Sequence, residues 1–238
     1  MYEKRFYRDW VKGSDLKTFE VKLFETDLLI SAAKDLREIA EKIVYKYRRD
    51  LLDYIDKNRQ FKESFTPVKI DEKAPEIAKA MMRKSAIAGV GPMAGVAGAV
   101  AEYTGKELLN YSSQVIVENG GDIFMSSLKD RVMAVYAGKS PLSGKIKIRL
   151  PAEKMPLGIA TSSATVGPSI SFGNTDAALI ISHDATLADC VATGTGNLVK
   201  TAEDFTKAID YAKAIKGILG VLIIAGDKLA TWGEIELA

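Results

Sequence analysis

The side chains best suited to chemistry lie between residues 182 and 197, where acidic and hydroxyl groups interrupt a run of small residues typical of a helix. Asp189 and Thr193 are four residues apart, so on a helix they lie one above the other on a single face. A carboxylate and a hydroxyl placed in this way can bind one hard cation through oxygen. A structural alternative remains open, in which Asp189 pairs with a lysine and Thr193 hydrogen-bonds to a helical carbonyl.

Residues 89–94 (GVGPMA) fit the outline G-x-G-x-x-A of a dinucleotide-binding turn. One hypothesis is therefore an NAD-dependent oxidoreductase that uses Gly89 to Ala94. Such a turn follows a strand, however, whereas residues 77–88 have a helical pattern, and Pro92 lacks an amide to face a phosphate. The favoured interpretation is a helix break followed by a second, closely packed helix.

A second glycine-rich segment, residues 118–122 (ENGGD), ends an apolar strand. Asn119-Gly120 is a dipeptide that tolerates positive φ, so a tight hairpin is predicted here. Two adjacent glycines also let a planar or phosphorylated ligand approach the backbone amides. The spacing alone does not decide between a simple turn and a ligand-binding turn.

Other polar residues have structural explanations that are as good as functional ones. Thr161 and Ser162 follow a short strand and offer hydroxyls, but no base accompanies them. His183 is the only histidine, and we expect a structural role for it, with Asp184 capping the helix that follows. Cys190 lies among small residues, and we expect it to be buried and inert.

Composition limits the class of protein. The chain has 33 basic and 31 acidic residues, so its field is too weak to predict a nucleic acid partner. A single cysteine gives no intrachain disulfide, and one histidine leaves little for a zinc site. The charged N-terminus does not resemble a secretory signal, and the apolar run 86–101 is shorter than the roughly 20 residues of a membrane span. We expect a cytoplasmic protein without a membrane partner.

The elements that must position these residues follow from hydrophobic spacing. Alternation over 17–32 predicts a strand pair that turns near residues 25–27, and apolar spacing over 34–58 predicts a long helix. Further helices are predicted from 75 to about 89, and over 93–109, 186–198 and 202–216, and further strands over 114–118, 123–125, 131–137, 145–150, 158–161, 177–182, 218–225 and 232–237. This order favours one α+β domain over 1–238, with mainly antiparallel sheets packed with helices.

Three segments of the chain, in the order in which they occur, resemble segments of the ApbE family of flavin transferases. They are residues 91–95 (GPMAG), 118–122 and 188–193 (ADCVAT). Family members carry Gly-Gly-x-Ala-Lys-Gly, Asn-x-Gly-Gly-Asp/Asn and Ala-Asp-Ala-x-Ala-Thr segments in the same order. Residues 158–162 (GIATS) are similar to the Val-Ala-Thr-Ser-Gly strand end of that family, and the likeness covers about residues 86–197.

The resemblance implies that the protein binds FAD or FMN with Mg²⁺ and transfers FMN to a threonine of an acceptor protein. It implies that the Ala94 carbonyl, the Asp189 carboxylate and the Thr193 hydroxyl hold the cation, an all-oxygen set that suits Mg²⁺. Phosphoanhydride chemistry depends mainly on charge neutralisation and alignment, so no separate acid or base is required. The residues implied to border the nucleotide are Asn119, Gly120, Gly121, Asp122, Thr161 and Ser162.

The chain departs from the family pattern at several positions. Pro92 replaces the second glycine, Gly95 replaces the lysine, and residues 163–176 lack the histidine-containing loop. Residues 87–95 most resemble an uncharacterised ApbE-related family. The main hypothesis is thus a Mg²⁺-dependent flavin- or nucleotide-binding protein that catalyses phosphoanhydride cleavage or flavin transfer. The alternative is a flavin- or nucleotide-binding module that kept the fold but lost the transferase chemistry. Under either hypothesis, the small-residue helices and the strand edges of the chain are compatible with a homodimer.

Overall fold

The computed structural model describes residues 15–164 and 173–238, in two antiparallel sheets and six α-helices. The helices are α1 (Arg37–Lys57), α2 (Arg59–Glu63), α3 (Glu76–Ala88), α4 (Val96–Leu108), α5 (Ala185–Leu198) and α6 (Phe205–Lys213). The strands are β1 (Lys17–Leu23), β2 (Thr26–Ala32), β3 (Val115–Asn119), β4 (Asp122–Ser126), β5 (Arg131–Ala134), β6 (Lys147–Leu150), β7 (Leu157–Ser162), β8 (Ala177–Ser182), β9 (Ile218–Ala225), β10 (Lys228–Gly233) and β11 (Glu236–Leu237).

The larger sheet has eight strands in the order β1-β2-β3-β4-β7-β8-β9-β10, and every neighbouring pair is antiparallel. The smaller sheet, β11-β6-β5, covers one face of it, and the apolar side chains between them form one core. The helices cover the opposite face. The predicted α+β class with mainly antiparallel strands is confirmed.

Alternation along the central strands explains this layering. In β3, Val115 and Val117 face the helices, whereas Ile116 faces the smaller sheet. In β9, Val221 and Ile223 belong to the helix-side core in the same way. Helices α1, α3 and α4 pack over the first strands of the sheet, and α5 and α6 pack over the later ones. Helices α4 and α5 are thereby brought into contact with each other.

Glycines make the contact between α4 and α5 unusually close. A Cβ added to Gly98 would lie 2.3 Å from the carbonyl oxygen of Ala185, and one added to Gly95 would lie 2.6 Å from Cys190 Sγ. Both distances are shorter than any normal contact, so only glycine fits at these positions. The two backbones therefore meet almost directly at the first turns of both helices.

The hairpin between β3 and β4 differs slightly from the prediction. Asn119 pairs with Asp122, so the two turn residues are Gly120 and Gly121, with φ of 67° and 109°. The predicted turn was one residue earlier. Asn119 stays in the strand because its Nδ2 donates a hydrogen bond to the Ala97 carbonyl, 3.1 Å away. The strained backbone conformation thus falls on the two glycines, which tolerate it.

Most of the remaining elements agree with the sequence, but the C-terminal end, one short helix and two strand lengths differ. The predicted strand over 232–237 was wrong as a single element: β10 ends at Gly233, and β11 joins the other sheet. Gly233 has φ 79°, which allows the chain to leave one sheet for the other. Helix α2 was not predicted. Predicted strands 131–137 and 145–150 are shorter, as β5 and β6.

Within the described ranges, no single helix is long and apolar enough to span a membrane. Helix α3 and the segment Pro92–Leu108 meet the length and composition test only when taken together, and they are bent by 105° relative to each other.

The close helix contact gives a stability prediction. Replacing Gly98 by Ala should destabilise the fold by about 1–3 kcal/mol, the usual cost of overpacking, although Ala normally favours a helix. Urea denaturation measures the change in the free energy of unfolding. Lys42→Ala, at an exposed site on α1, is the control and should change it by less than about 0.5 kcal/mol. Equal stability of Gly98→Ala and wild type would show that the helices do not meet as described.

Candidate functional site

Helix α5 is buried along most of its length, but one line of polar residues stays partly accessible. Asp189, Thr193 and Asn197 are spaced by four residues, and apart from Leu198 every other residue of the helix is buried. We call these three residues the polar stripe. The polar stripe is therefore the face on which α5 meets solvent. Asp189 and Thr193 lie on a shared helix face, as the spacing predicted, and both are partly accessible.

Asp189 also caps the neighbouring helix. The backbone N–H of Gly98 donates to Asp189 Oδ2 at 2.8 Å, and the N–H of Ala97 bonds to the same carboxylate. Both amides belong to the first turn of α4, where a helix has no backbone partners for its N–H groups. The structural alternative of a lysine partner for Asp189 is replaced by this cap. The Asp189 carboxylate is therefore held at the N-terminus of α4 and does not point into the apolar core.

Helix α5 has caps of its own. Asp184 accepts a hydrogen bond from the Leu187 N–H at 2.7 Å, as predicted from the sequence, and pairs with Lys84. Glu102 of α4 accepts two more, from the N–H and the Oγ1 of Thr186, each at 2.9 Å. Each of the two helices therefore has a carboxylate of the other at its N-terminus.

Asp122 brings a second carboxylate to this region. It is buried, with 8% of its surface exposed, and the N–H of Thr161 bonds to it. Burial raises the pKa of Asp122 well above its usual range, and the nearby charges of Asp189 and Glu118 raise it further. Burial also raises the pKa of Asp189 to about 7, although the Gly98 and Ala97 amides oppose the shift. Neighbouring carboxylates in such surroundings require either a proton or a cation.

The predicted nucleotide-binding segments converge on the same end of the sheet. The Asn119 side chain reaches the Ala97 carbonyl at the start of α4, and the N–H of Gly121 donates to Glu118 Oε1 at 3.1 Å. Ser162, at the end of β7, has its Oγ 3.4 Å from the position that a Cβ on Gly196 would take. The hairpin, the β7 end and helix α5 therefore surround one region.

Ala94 lies in the short 3₁₀ turn Pro92–Gly95 that precedes α4, and it is partly accessible. Its neighbour Gly95 packs against Thr186 and Cys190 of α5. The three residues predicted to hold a cation thus belong to two segments in direct contact. No group of three or more His, Cys, Asp or Glu suited to a metal occurs in residues 15–164 and 173–238, so a cation here depends on carbonyl and hydroxyl oxygens as well.

The residues with expected structural roles behave accordingly. His183 is exposed, and its Nδ1 lies 2.8 Å from the Pro156 carbonyl oxygen. Cys190 is a free, buried cysteine, and burial raises the pKa of its thiol well above the usual range. Neither residue offers a nucleophile.

The glycine-rich segment 89–94 lacks the surroundings of a dinucleotide-binding turn. It follows α3 rather than a strand, and Gly89, with φ 70°, ends that helix. A Cβ on Gly91 would lie 1.8 Å from the Ser64 carbonyl oxygen, so protein already fills this side of the turn. The interpretation as a helix break was correct. Residues 165–172, part of the segment where the family pattern has its histidine-containing loop, lie outside the described residues, as do residues 1–14.

Sequence reasoning missed Glu102 and Asp27. Glu102 is 2% exposed, and the clue to it was an acidic residue directly after the small, apolar run 96–101 of α4. Asp27 is 3% exposed in β2, where burial and then the charge of Glu118 raise its pKa. Its position in an alternating strand gave no such clue.

Comparisons with known proteins identify the family and the fold of the chain. A family model described as AbpE bacteria matches residues 8–230. A UPF0280 protein of Methanocella arvoryzae is 37% identical over 220 residues, which cover 92% of this chain and 89% of that protein. UPF0280 protein MJ1526 of Methanocaldococcus jannaschii is 39% identical over 217 residues, covering 89% and 88%.

Solved structures show the same fold at low identity. The flavin transferase ApbE from Vibrio cholerae has a TM-score of 0.61 and 11% identity, over 91% of this chain and 96% of that one. The apo form of the Pseudomonas stutzeri flavinyl transferase ApbE has a TM-score of 0.57 and 12% identity, over 91% and 93%. The chain therefore belongs to the family described as AbpE bacteria, an ApbE-related family, and has the ApbE fold.

Proposed function

We propose that this protein binds a flavin or nucleotide together with Mg²⁺ at the polar stripe of α5, and that it transfers FMN from FAD to an acceptor protein. The observation that carries the proposal is the accessible line of Asp189, Thr193 and Asn197 on an otherwise buried helix. The fold shared with flavin transferases supports the same kind of ligand.

The residues present fit a magnesium ion. The Ala94 carbonyl, the Asp189 carboxylate and the Thr193 hydroxyl would hold it, and all three are the oxygen ligands that Mg²⁺ prefers. Asp122 adds negative charge close to Asp189. When bound, the ion would neutralise charge on the pyrophosphate of the nucleotide. The burial that raises both carboxyl pKa values is then offset by the cation rather than by protons.

The β3–β4 turn suits the approach of a nucleotide. A Cβ on Gly121 would find no atom within 4 Å, so the turn faces open space on that side. With φ of 109°, Gly121 holds a backbone conformation that other residues rarely adopt. Asn119 and Glu118 fix the turn from behind, through the Ala97 carbonyl and the Gly121 amide. The turn would thus present a rigid backbone surface to the ligand.

In the proposed reaction, a threonine hydroxyl of the acceptor attacks the phosphorus on the FMN side of FAD. The phosphoanhydride bond breaks, a phosphoester bond forms, AMP leaves, and the hydroxyl proton is released to solvent. The residues of this chain would bind and align the pyrophosphate and hold the attacking and leaving oxygens in line.

One observation favours the alternative of a non-catalytic flavin- or nucleotide-binding module. Gly95 stands where the ApbE pattern has a lysine, and its contact with Cys190 and Thr186 leaves no room for any side chain. A positive charge that would otherwise meet the ligand is therefore missing at this position.

Incubation with FAD and Mg²⁺ separates the two functions. The transferase proposal predicts that AMP forms at a rate proportional to the amount of enzyme, as measured by chromatography. It also predicts that no AMP forms when EDTA removes the metal. Binding of FAD without release of AMP, even with a threonine-containing acceptor present, would establish the binding module instead. Absence of any FAD or FMN binding with Mg²⁺ would contradict both the transferase and a flavin-binding module.

Asp189→Asn tests the cation ligand. Asparagine caps a helix about as well as aspartate, so the Gly98 bond and the stability of the fold should survive. The loss of the charge should weaken Mg²⁺ binding at least about tenfold in isothermal titration calorimetry, about 1.4 kcal/mol. Asp184→Asn is the matched control, because Asp184 also caps a helix. It caps α5, whereas Asp189 caps α4, and it does not belong to the polar stripe. Similar Mg²⁺ affinity for both variants would remove Asp189 from the site.

The pKa of Asp189 predicts how stability depends on pH. With a pKa of about 7, this carboxyl keeps its proton to higher pH in the folded protein than in the unfolded chain, where it ionises near its ordinary pKa of 3.8. Between these values the folded state binds more protons, so the contribution of Asp189 to stability falls as pH rises. In differential scanning calorimetry without metal, the Tm of wild type should fall relative to Asp189→Asn across this window.

Addition of Mg²⁺ should reverse that loss, and more so at pH 8 than at pH 5, because the ion binds the charged carboxylate. Parallel Tm curves for wild type and Asp189→Asn, with no effect of Mg²⁺, would contradict the assignment.

A further inference from the structure

We infer that Glu102 is a positioning residue for the candidate cation site, because it fixes the first turn of α5 from which Asp189 projects. The inference rests on the proposed function. Glu102 does not belong to the polar stripe, and its role is to set where the stripe lies relative to the start of α4.

The contacts of Glu102 are unusual for a side chain in the core. It is 2% exposed, yet its Oε2 accepts hydrogen bonds from both the N–H and the Oγ1 of Thr186. Its Oε1 accepts from Lys106 Nζ, one turn along the same helix. An ionised carboxylate is costly to bury unless donors surround it, and three donors do so here. A residue needed only to fill space at this position would be apolar.

Thr186 is the second residue of α5, so its N–H is one of the amides that have no partner within the helix. A negative charge beside this end is also favoured by the helix dipole. Glu102 therefore binds α5 at the point where a polar cap has the greatest effect on its position.

Four links close into a ring that includes Asp189. Glu102 holds Thr186, and Asp189 follows Thr186 by one helical turn. Asp189 holds the N–H of Gly98, and Gly98 precedes Glu102 by one turn of α4. A rotation or slide of α5 against α4 would stretch both carboxylate contacts together. The location of the Asp189 carboxylate is thus coupled to the Glu102–Thr186 bonds.

Contact between the helix surfaces alone fixes the position of α5 relative to α4 less well than the hydrogen bonds do. At Gly95 and Gly98 the contact is between backbone and small groups of Ala185, Thr186 and Cys190, which prevent the helices from approaching further but do not interlock. Directional hydrogen bonds are better suited to hold the helices in register once they touch. This is the physical reason for a charged residue in the middle of α4.

The test uses Glu102→Met, which removes the acceptor and keeps an unbranched side chain of similar length. Mg²⁺ affinity, measured with the metal alone by titration calorimetry, should fall about tenfold or more, as for other residues that orient metal ligands. Glu102→Gln retains an acceptor oxygen for Thr186 and should restore affinity to within about threefold of wild type, since the bonds to Thr186 persist. Hydrogen exchange of the Thr186 amide, measured without metal, should be faster in Glu102→Met only.

Leu51→Ala is the control for general destabilisation. Leu51 is buried in α1 within the core beneath α4 and contributes no polar contact to the site, and its truncation should cost about 2–5 kcal/mol. Its Mg²⁺ affinity should match wild type. Thr186→Val, which loses only the Oγ1 contact, replaces Glu102→Met if that variant does not fold. It should lower Mg²⁺ affinity, by less than the tenfold expected for Glu102→Met, and wild-type affinity in Thr186→Val would contradict the positioning role.

Two failures are distinguishable. Wild-type affinity for Mg²⁺ in Glu102→Met, with fast exchange at Thr186, would overturn the positioning role and leave the proposed function intact. Equal losses in Glu102→Met and Leu51→Ala would overturn it too. Absence of Mg²⁺ binding in the wild type would overturn the proposed function, and the positioning role with it.

Discussion

The structure around the candidate site depends on two carboxylates, each of which caps the first turn of the opposite helix. Asp189 of α5 satisfies the Gly98 and Ala97 amides of α4, and Glu102 of α4 satisfies the Thr186 amide of α5. Helix N-termini carry unpaired amides and partial positive charge, so each needs such a partner when it is buried. Glycines at the crossing let the helices come close enough for both exchanges to occur.

This arrangement holds an acidic side chain in a fixed position, although burial makes its ionised form costly to stability in the absence of a cation. The Asp189 carboxylate is compensated on one side by backbone amides, and it remains partly accessible along the polar stripe. The negative charge of Asp122 is less well compensated, because burial and the neighbouring acidic groups raise the pKa of this carboxyl. Together they form a region that favours a positive partner, next to a glycine turn open on one side. The proposed binding of a metal-complexed pyrophosphate would use both features.

Much of the fold was predictable from the sequence, because periodicity reports local structure directly. The alternation in β1 and β2, and the long amphipathic spacing of α1, needed no tertiary information. The shared face of Asp189 and Thr193 followed from helical spacing in the same way. The break at Gly233 and the sheet that β11 joins did not, because they depend on contacts with β6, far away in the chain. Glu102 and Asp27 were missed for the same reason: their roles are set by residues on other elements, which spacing does not reveal.

The central claim is that a divalent ion binds between the start of α4 and the polar stripe of α5. The most direct measurement is anomalous diffraction from crystals of the wild-type protein soaked with Mn²⁺, an ion with the same preference for oxygen ligands as Mg²⁺. The account predicts one strong peak within bonding distance of the Ala94 carbonyl oxygen, the Asp189 carboxylate and the Thr193 hydroxyl. A map without a peak there, or with manganese only at surface carboxylates elsewhere, would contradict it.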